Sequence, residues 1–322
     1  MRNKFYSAVL CLFAAIGLGR AATDANDRAT VIVVGGAPGE YEFATVIAQQ
    51  LEAWTKVAAQ AQAKLVAIGG GPMGEPSDHD QLKAALEAET KEGANELWIV
   101  LAGHGTFDGK EAKFNLRGPD LGASELALWL KPFQRPVAII DTASASAPFI
   151  NKLAGPKRVV VSSTRSGAEV NYARFGKYFA EAIADPKSDL DKDGQVSLLE
   201  AFLSASHRTN EFYKTEGRLA TEHALIDDNG DGLGTPADWF RGVRATKRSK
   251  DGAALDGARA HQFHLVRSVA EQQLSPETRA RRDRLELQLA ELRDGKAKLA
   301  EDAYFLALEK LLLEIASLYE GT

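Results

Sequence analysis

Short, unbroken apolar runs punctuate the first half of the chain. They occupy residues 30–35 (TVIVVG), 65–69 (LVAIG), 96–102 (ELWIVLA), 136–141 (PVAIID) and 158–163 (RVVVSS). Runs of this kind belong to strands covered on both faces, the habit of parallel sheets. Amphipathic stretches at 42–62, 80–91 and 124–130 separate them and read as helices. Strand and helix alternating at this spacing predict an α/β fold, a doubly wound and mostly parallel sheet with right-handed crossovers. Ligands of such sheets bind beyond the carboxyl ends of the strands. This chain sets His104-Gly105 and the segment 141–149 at two of those ends. The turn Gly35-Gly-Ala-Pro-Gly39 is structural: it lacks the G-x-G-x-x-G and GK[ST] patterns, and Pro38 has no amide to offer a phosphate.

The second half is patterned differently. Phe175, Phe179 and Ile183 mark an amphipathic helix that enters an acidic loop, and Leu199, Phe202 and Leu203 mark the helix that leaves it. Composition turns basic and rich in glycine and alanine from about 241 to 257, so residues 241–273 read as a linker. Ser275-Pro276-Glu277 opens a helix with an N-cap serine and proline in the first turn, striped by Leu285, Leu289 and Leu292. Asp294-Gly295 breaks it. A second helix carries Tyr304, Leu308, Leu311, Ile315 and Leu318 in steps of four and three. Residues 274–322 thus form a helical hairpin, too small to fold alone. It serves as a stabilising arm, or as the contact through which the chain oligomerises into a scaffold.

The N-terminus predicts export. Arg2 and Lys4 precede an apolar run at 6–18 that is too short to span a bilayer, and small residues follow at Gly19 and Ala21. A signal peptide at 1–21 implies a periplasmic or extracellular protein with no membrane anchor after cleavage. Its removal takes away Arg2, Lys4 and Arg20 and moves the net charge from −5 to −8. That balance excludes nucleic acid as a partner, because phosphate neutralisation needs a basic face. The only cysteine, Cys11, leaves with the signal, so the mature chain has neither thiol nor disulfide.

Excess carboxylate is concentrated in two loops. Asp189-Leu-Asp191-Lys-Asp193-Gly194-Gln195-Val196-Ser197-Leu-Leu-Glu200 matches the twelve-residue EF-hand calcium loop throughout. Asp189, Asp191 and Asp193 supply positions 1, 3 and 5, Gly194 makes the turn at 6, and Gln195 offers its backbone carbonyl at 7. Glu200 at 12 can chelate with both oxygens, and Ser197 with Glu200 forms a capping box for the exiting helix. The second loop, 227–238, keeps Asp227, Asn229 and Asp231 at 1, 3 and 5 and Leu233 at 7. Its position 12 holds Asp238, whose shorter reach predicts a weaker site. The pair spans 186–240, and the expected cofactor is Ca2+. The histidines His207, His223, His261 and His264 have no accompanying ligand motif and read as solvated or core residues.

One resemblance joins these observations. A hydrophobic strand running into His104-Gly105, and a second running into Asp141-Thr-Ala143 with Phe149 beyond, resemble the caspase-like cysteine peptidases, the legumain branch above all. The likeness covers residues 28–185. In that family a histidine follows the third strand and a cysteine the fourth. His104 matches the histidine, Ala143 stands at the cysteine position, and Ser146 stands where glycine is usual. The resemblance implies a caspase-like body whose peptidase activity is lost, since alanine has no nucleophile. It also implies a crevice at the strand ends for a peptide or protein segment. The competing expectation is a hydrolase in which Ser144 or Ser146 works with His104.

Overall fold

The computed structural model describes residues 28–72 and 74–319. The expected signal peptide at 1–21, with Cys11, lies outside the described residues, as do the last three residues of the hairpin. The chain begins with β1 (Thr30–Gly35), α1 (Tyr41–Gln60), β2 (Lys64–Ile68), α2 (Asp78–Ala88) and β3 (Leu97–Ala102). A small antiparallel sheet follows, made of β4 (Gly105–Phe107), β5 (Ala112–Phe114) and β6 (Leu121–Gly122). After α3 (Ala123–Leu130) come β7 (Val137–Asp141), α4 (Ala147–Leu153), β8 (Arg158–Ser162), α5 (Phe175–Ala182) and α6 (Leu198–Thr215). β9 (Leu225–Asp227) and β10 (Thr235–Pro236) precede a two-stranded ribbon of β11 (Phe240–Arg241) and β12 (Arg244–Ala245).

The central sheet runs β2-β1-β3-β7-β8-β9-β10. Its first five strands are parallel, and β9 and β10 extend it antiparallel. The fold is therefore mixed α/β with a mostly parallel sheet, as the alternation of runs predicts. The period of two along each strand splits the core. Val31, Val33, Trp98 and Val100 face the layer of α1, α5 and α6, whereas Ile32, Val34, Ile99 and Leu101 face α2, α3 and α4. Trp54 and Trp98 are fully buried in the first layer; truncating either to alanine costs roughly 3–5 kcal/mol. Strand order reverses between β1 and β3, which opens a crevice where their C-terminal loops diverge.

The linker expected at 241–273 is a correction. Ala260, Phe263 and Leu265 belong to the core, and the Phe263 ring meets Trp98 edge-on at 5.9 Å. Glycine, alanine and basic residues dominate the composition of this stretch. They mask a few apolar anchors that only the third dimension gathers. Beyond it, α7 (Val269–Gln273) leads to α8 (Pro276–Asp294) and α9 (Glu301–Ser317). α8 docks on the body through Arg282 to Glu271, Arg248 to Asp294, and Gln262 Nε2 donating to the Asp283 carbonyl at 2.8 Å. No helix among the described residues is long and apolar enough to cross a membrane.

Candidate functional site

His104 follows β3 into the crevice between β1 and β3. Its ring is half-buried, donates to the Pro38 backbone carbonyl, and lies edge-on to Phe43 at 4.7 Å and Tyr172 at 5.5 Å. Burial holds its pKa below the ordinary histidine value, opposed by the Pro38 bond. Tyr172 is fixed by Gln50, whose Nε2 donates to the phenol oxygen at 3.0 Å and whose Oε1 accepts from Thr142 at 3.3 Å. The imidazole is thus a neutral plug in an aromatic clasp.

Ala143 follows β7 and is 1 % exposed. Its methyl group lies against Gly105, where a Cβ would come within 3.4 Å of it. The structure therefore brings the His104-Gly105 turn and Ala143 together. The neighbouring amides are already engaged: Ala143 N–H donates to Asp141 Oδ1 at 3.0 Å and Gly105 N–H to Ser144 Oγ at 3.1 Å. Two donors that could face a developing oxyanion are satisfied within the chain. Ser144 Oγ in turn donates to the Gly105 carbonyl at 3.1 Å. Ser146 Oγ is shared among Ser163 Oγ, Thr164 Oγ1 and the Ser163 amide. Both hydroxyls are buried in structural bonds, and neither is hydrogen-bonded to His104 among the described residues.

Two buried groups give the fold opposing pH dependences. Burial pushes the Asp141 carboxyl up to about 7, against the Ala143 amide bond, and its Oδ2 has no partner among the described residues. Burial, then the positive neighbours His261 and Arg282, push His264 down to about 3. A carboxyl raised in the fold contributes stability that is full below its unfolded pKa near 4 and is lost as pH climbs through 7. An imidazole lowered in the fold contributes stability that is present above about 6.5 and lost as pH falls toward 3. Asp141→Asn is expected to gain on the wild type between about pH 4 and 7, by on the order of 4 kcal/mol in all. His264→Leu gains on it as pH falls below 6.5. Urea midpoints across this range check both, and variant curves parallel to the wild type would refute them.

The two acidic loops flank α6 along the chain. The first connects α5 to α6, and Ser197 caps α6 with Glu200 in the expected box. Carboxylate oxygens of Asp189, Asp191 and Asp193 lie within 4.8 Å of one another. Asp189 accepts from the amides of Lys192 and Gly194, Asp191 from that of Asp193, and Asp193 from that of Gln195. Glu200 Oε1 reaches back to the amides of Leu190 and Asp191, while Oε2 takes the Ser197 amide and hydroxyl. His261, which the sequence presents as a solvated or core residue, has its Nε2 2.9 Å from Asp191 Oδ2 and within 4.8 Å of Glu200. Nothing in local spacing ties His261 to a loop 70 residues away.

The second loop joins β9 to β10 at the sheet edge, with a short 3-10 turn (Ala237–Trp239) in place of an exiting helix. Its hydrogen bonds nonetheless repeat those of the first. Asp227 accepts from Gly230 and Gly232, Asn229 from Asp231, and Asp231 from Leu233. Loop positions 4 and 6 are left-handed in both, with φ of 66° and 90° at Lys192 and Gly194 and of 82° and 76° at Gly230 and Gly232. The Leu233 carbonyl accepts from Ser249 Oγ at 3.3 Å. The repetition ends at position 12, where Asp238, unlike Glu200, takes none of the loop amides among the described residues. Asp256 stands in its role. Its Oδ1 accepts from the amides of Asp228 and Asn229 at 3.0 and 3.2 Å, and its Oδ2 accepts from the Thr235 hydroxyl at 2.5 Å. These are the same loop positions, 2, 3 and 9, that Glu200 engages in the first loop.

Several of these carboxyls are held out of their ordinary range by burial. Asp228 is raised, Asp227 is pushed up to about 6, and Asp256 up to about 8, where the charge of Asp228 adds to burial. Buried carboxylates without a compensating cation titrate this way.

No protein-family model and no curated protein matches the sequence. Solved structures do. The Drosophila initiator caspase Dronc is 12% identical over 65% of this chain and 82% of its own, with a TM-score of 0.45. Protein GSU0716 of Geobacter sulfurreducens is 12% identical over 62% of this chain and 92% of its own, at 0.42. Caspase-1 of Spodoptera frugiperda is 9% identical over 63% and 87%, at 0.40. The backbone course is similar to that of caspases. Likeness at this level concerns the path of the chain alone, and function has to be read from the residues present.

Proposed function

We propose that this chain is an exported calcium-binding protein whose caspase-like body has no peptidase activity and keeps its strand-end crevice for a peptide or protein segment. The observation that carries the calcium reading is the repetition, bond for bond, of one loop frame at 189–200 and 227–235. A hard cation takes six to eight oxygens at one point. Asp189, Asp191, Asp193, Glu200 and the Gln195 carbonyl fit that demand at the first loop. Asp227, Asn229, Asp231 and the Leu233 carbonyl fit it at the second, and Asp256 in place of Asp238 completes the set. The raised carboxyl pKa values at the second loop support the same reading, since a bound cation supplies the charge that burial withholds. Export rests on the pattern of residues 1–21. It would expose the loops to calcium at the level that fills weak modules, about 10⁻⁴–10⁻³ M.

Calorimetric titration with calcium is expected to give two binding events and a raised melting temperature. No heat and no thermal shift at millimolar calcium would sink the reading.

Loss of peptidase activity is supported by the alanine at 143, the engaged amides and the structural bonding of Ser144 and Ser146. Fluorophosphonate and iodoacetamide probes are expected to leave the mature protein unlabelled. Labelling at either serine that disappears in His104→Ala would overturn this part of the proposal.

A further inference from the structure

The outermost helix, α9, is apolar on two faces, and only one of them is used. Tyr304, its single buried residue among those described, lies on the stripe with Leu308, Leu311, Ile315 and Leu318 that α9 turns to α8. Between about 60° and 200° around the helix from that stripe, at 100° per residue, a second, broader stripe is left in solvent. It holds Phe305 (49 % exposed), Leu306 (70 %), Leu312 (44 %), Leu313 (64 %) and Tyr319 (46 %). Its members recur seven apart, at 305, 312 and 319 and at 306 and 313, the spacing of a helix that seats on another helix. Scattered exposed leucines are ordinary, but a contiguous stripe on one helix marks an interaction surface.

Charge says what covers it. Glu309 lies within this stripe and Lys310 beside it, near its midpoint, and neither has an ion-pair partner among the described residues. Opposite charges that are neighbours on one helix fall opposite each other when the helix pairs antiparallel with a copy of itself. About a two-fold axis between positions 309 and 310, Leu306 meets Leu313 of the partner subunit. The same axis sets Glu309 against Lys310 of the partner subunit, and each contact occurs twice. Such isologous pairing neutralises both charges and covers Leu306 and Leu313, the two most exposed leucines of the helix. It also leaves the α8 side untouched, so each hairpin contributes two helices to a four-helix contact.

We infer that the protein is a homodimer joined through the outward face of α9. Equilibrium sedimentation of the full mature chain tests this. The wild type is expected to be a dimer at micromolar concentration, and Leu306→Glu with Leu313→Glu a monomer with unchanged circular dichroism. Glu309→Lys alone and Lys310→Glu alone should each weaken the dimer by about tenfold, and the two together should restore it. This exchange stays decisive even if the leucine variant misfolds. A monomeric wild type at about 100 μM, well above an ordinary micromolar dissociation constant, overturns the inference. So does failure of the double exchange to rescue, or a monomer that binds anionic lipid vesicles through the same leucines.

Discussion

Glu200→Gln is expected to remove calcium binding at the first loop, by about a hundredfold in affinity or more, and to leave the second loop's binding in place. Glu200 is the loop's one long carboxylate. It alone can deliver two oxygens from the helix side, and its two oxygens already gather amides from both ends of the loop. Glutamine keeps the length and preserves the cap on α6, since glutamine serves at the third helical position of a capping box. What it loses is the charge and one acceptor. Its amide nitrogen must face a backbone N–H at Leu190 or Ser197, which costs roughly 1–3 kcal/mol of stability. Asp193→Asn controls for that cost, because Asp193 is exposed and binds only within its own turn. It should weaken the same site without lowering the melting temperature of the calcium-free protein. An isotherm for Glu200→Gln that matches the wild type would remove the loop from the proposal.

The residues differ in how much of their role the sequence displays. The strands were legible because each is a buried run whose neighbours in space are also its neighbours in pattern. Five apolar segments and the period of two along them account for the five parallel strands and the two core faces, but not for β9 and β10, which extend the sheet. The first acidic loop was legible for the same reason: all of its carboxylates lie within twelve consecutive residues. His261 and Asp256 were not. Each reaches its loop from a segment that composition presents as a linker, and the amides that Asp256 takes, those of Asp228 and Asn229, lie 28 and 27 residues away. The twelve-residue rule instead pointed to Asp238. There a β-hairpin and a 3-10 turn replace the exiting helix, and Asp238 takes none of the amides that Glu200 takes in the first loop. At the strand ends, His104 and Ala143 were visible as residues following strands. Their setting was not: the Phe43 and Tyr172 clasp, and the Ser144 bonds that close around Gly105, depend on contacts between distant segments.

Asp256→Asn is expected to abolish the second calcium event, whereas Asp238→Asn leaves it unchanged. The contrast follows from where the two carboxylates stand. Asp238 is in solvent and bonds to nothing that holds the loop. Asp256 is 4 % exposed, spans loop positions 2, 3 and 9, and faces Asp228. Burial and the charge of Asp228 push its carboxyl up, toward the neutral acid, in the absence of a cation. Asparagine imitates that neutral acid in size and in its oxygen acceptor, and its amide can donate toward Asp228. The calcium-free variant should therefore melt within a degree or two of the wild type, since a near-isosteric change with its bonds kept costs little. Calcium binding is another matter, because a hard cation needs the ionised oxygens that asparagine lacks. Calorimetric stoichiometry should fall from two to one in Asp256→Asn and stay at two in Asp238→Asn. The reverse pattern would restore Asp238 as the ligand and assign Asp256 to holding the loop alone. Loss of both events in Asp256→Asn would mean that the two loops bind as one cooperative unit through the segment at 256–261, where Asp256 serves one loop and His261 touches the other.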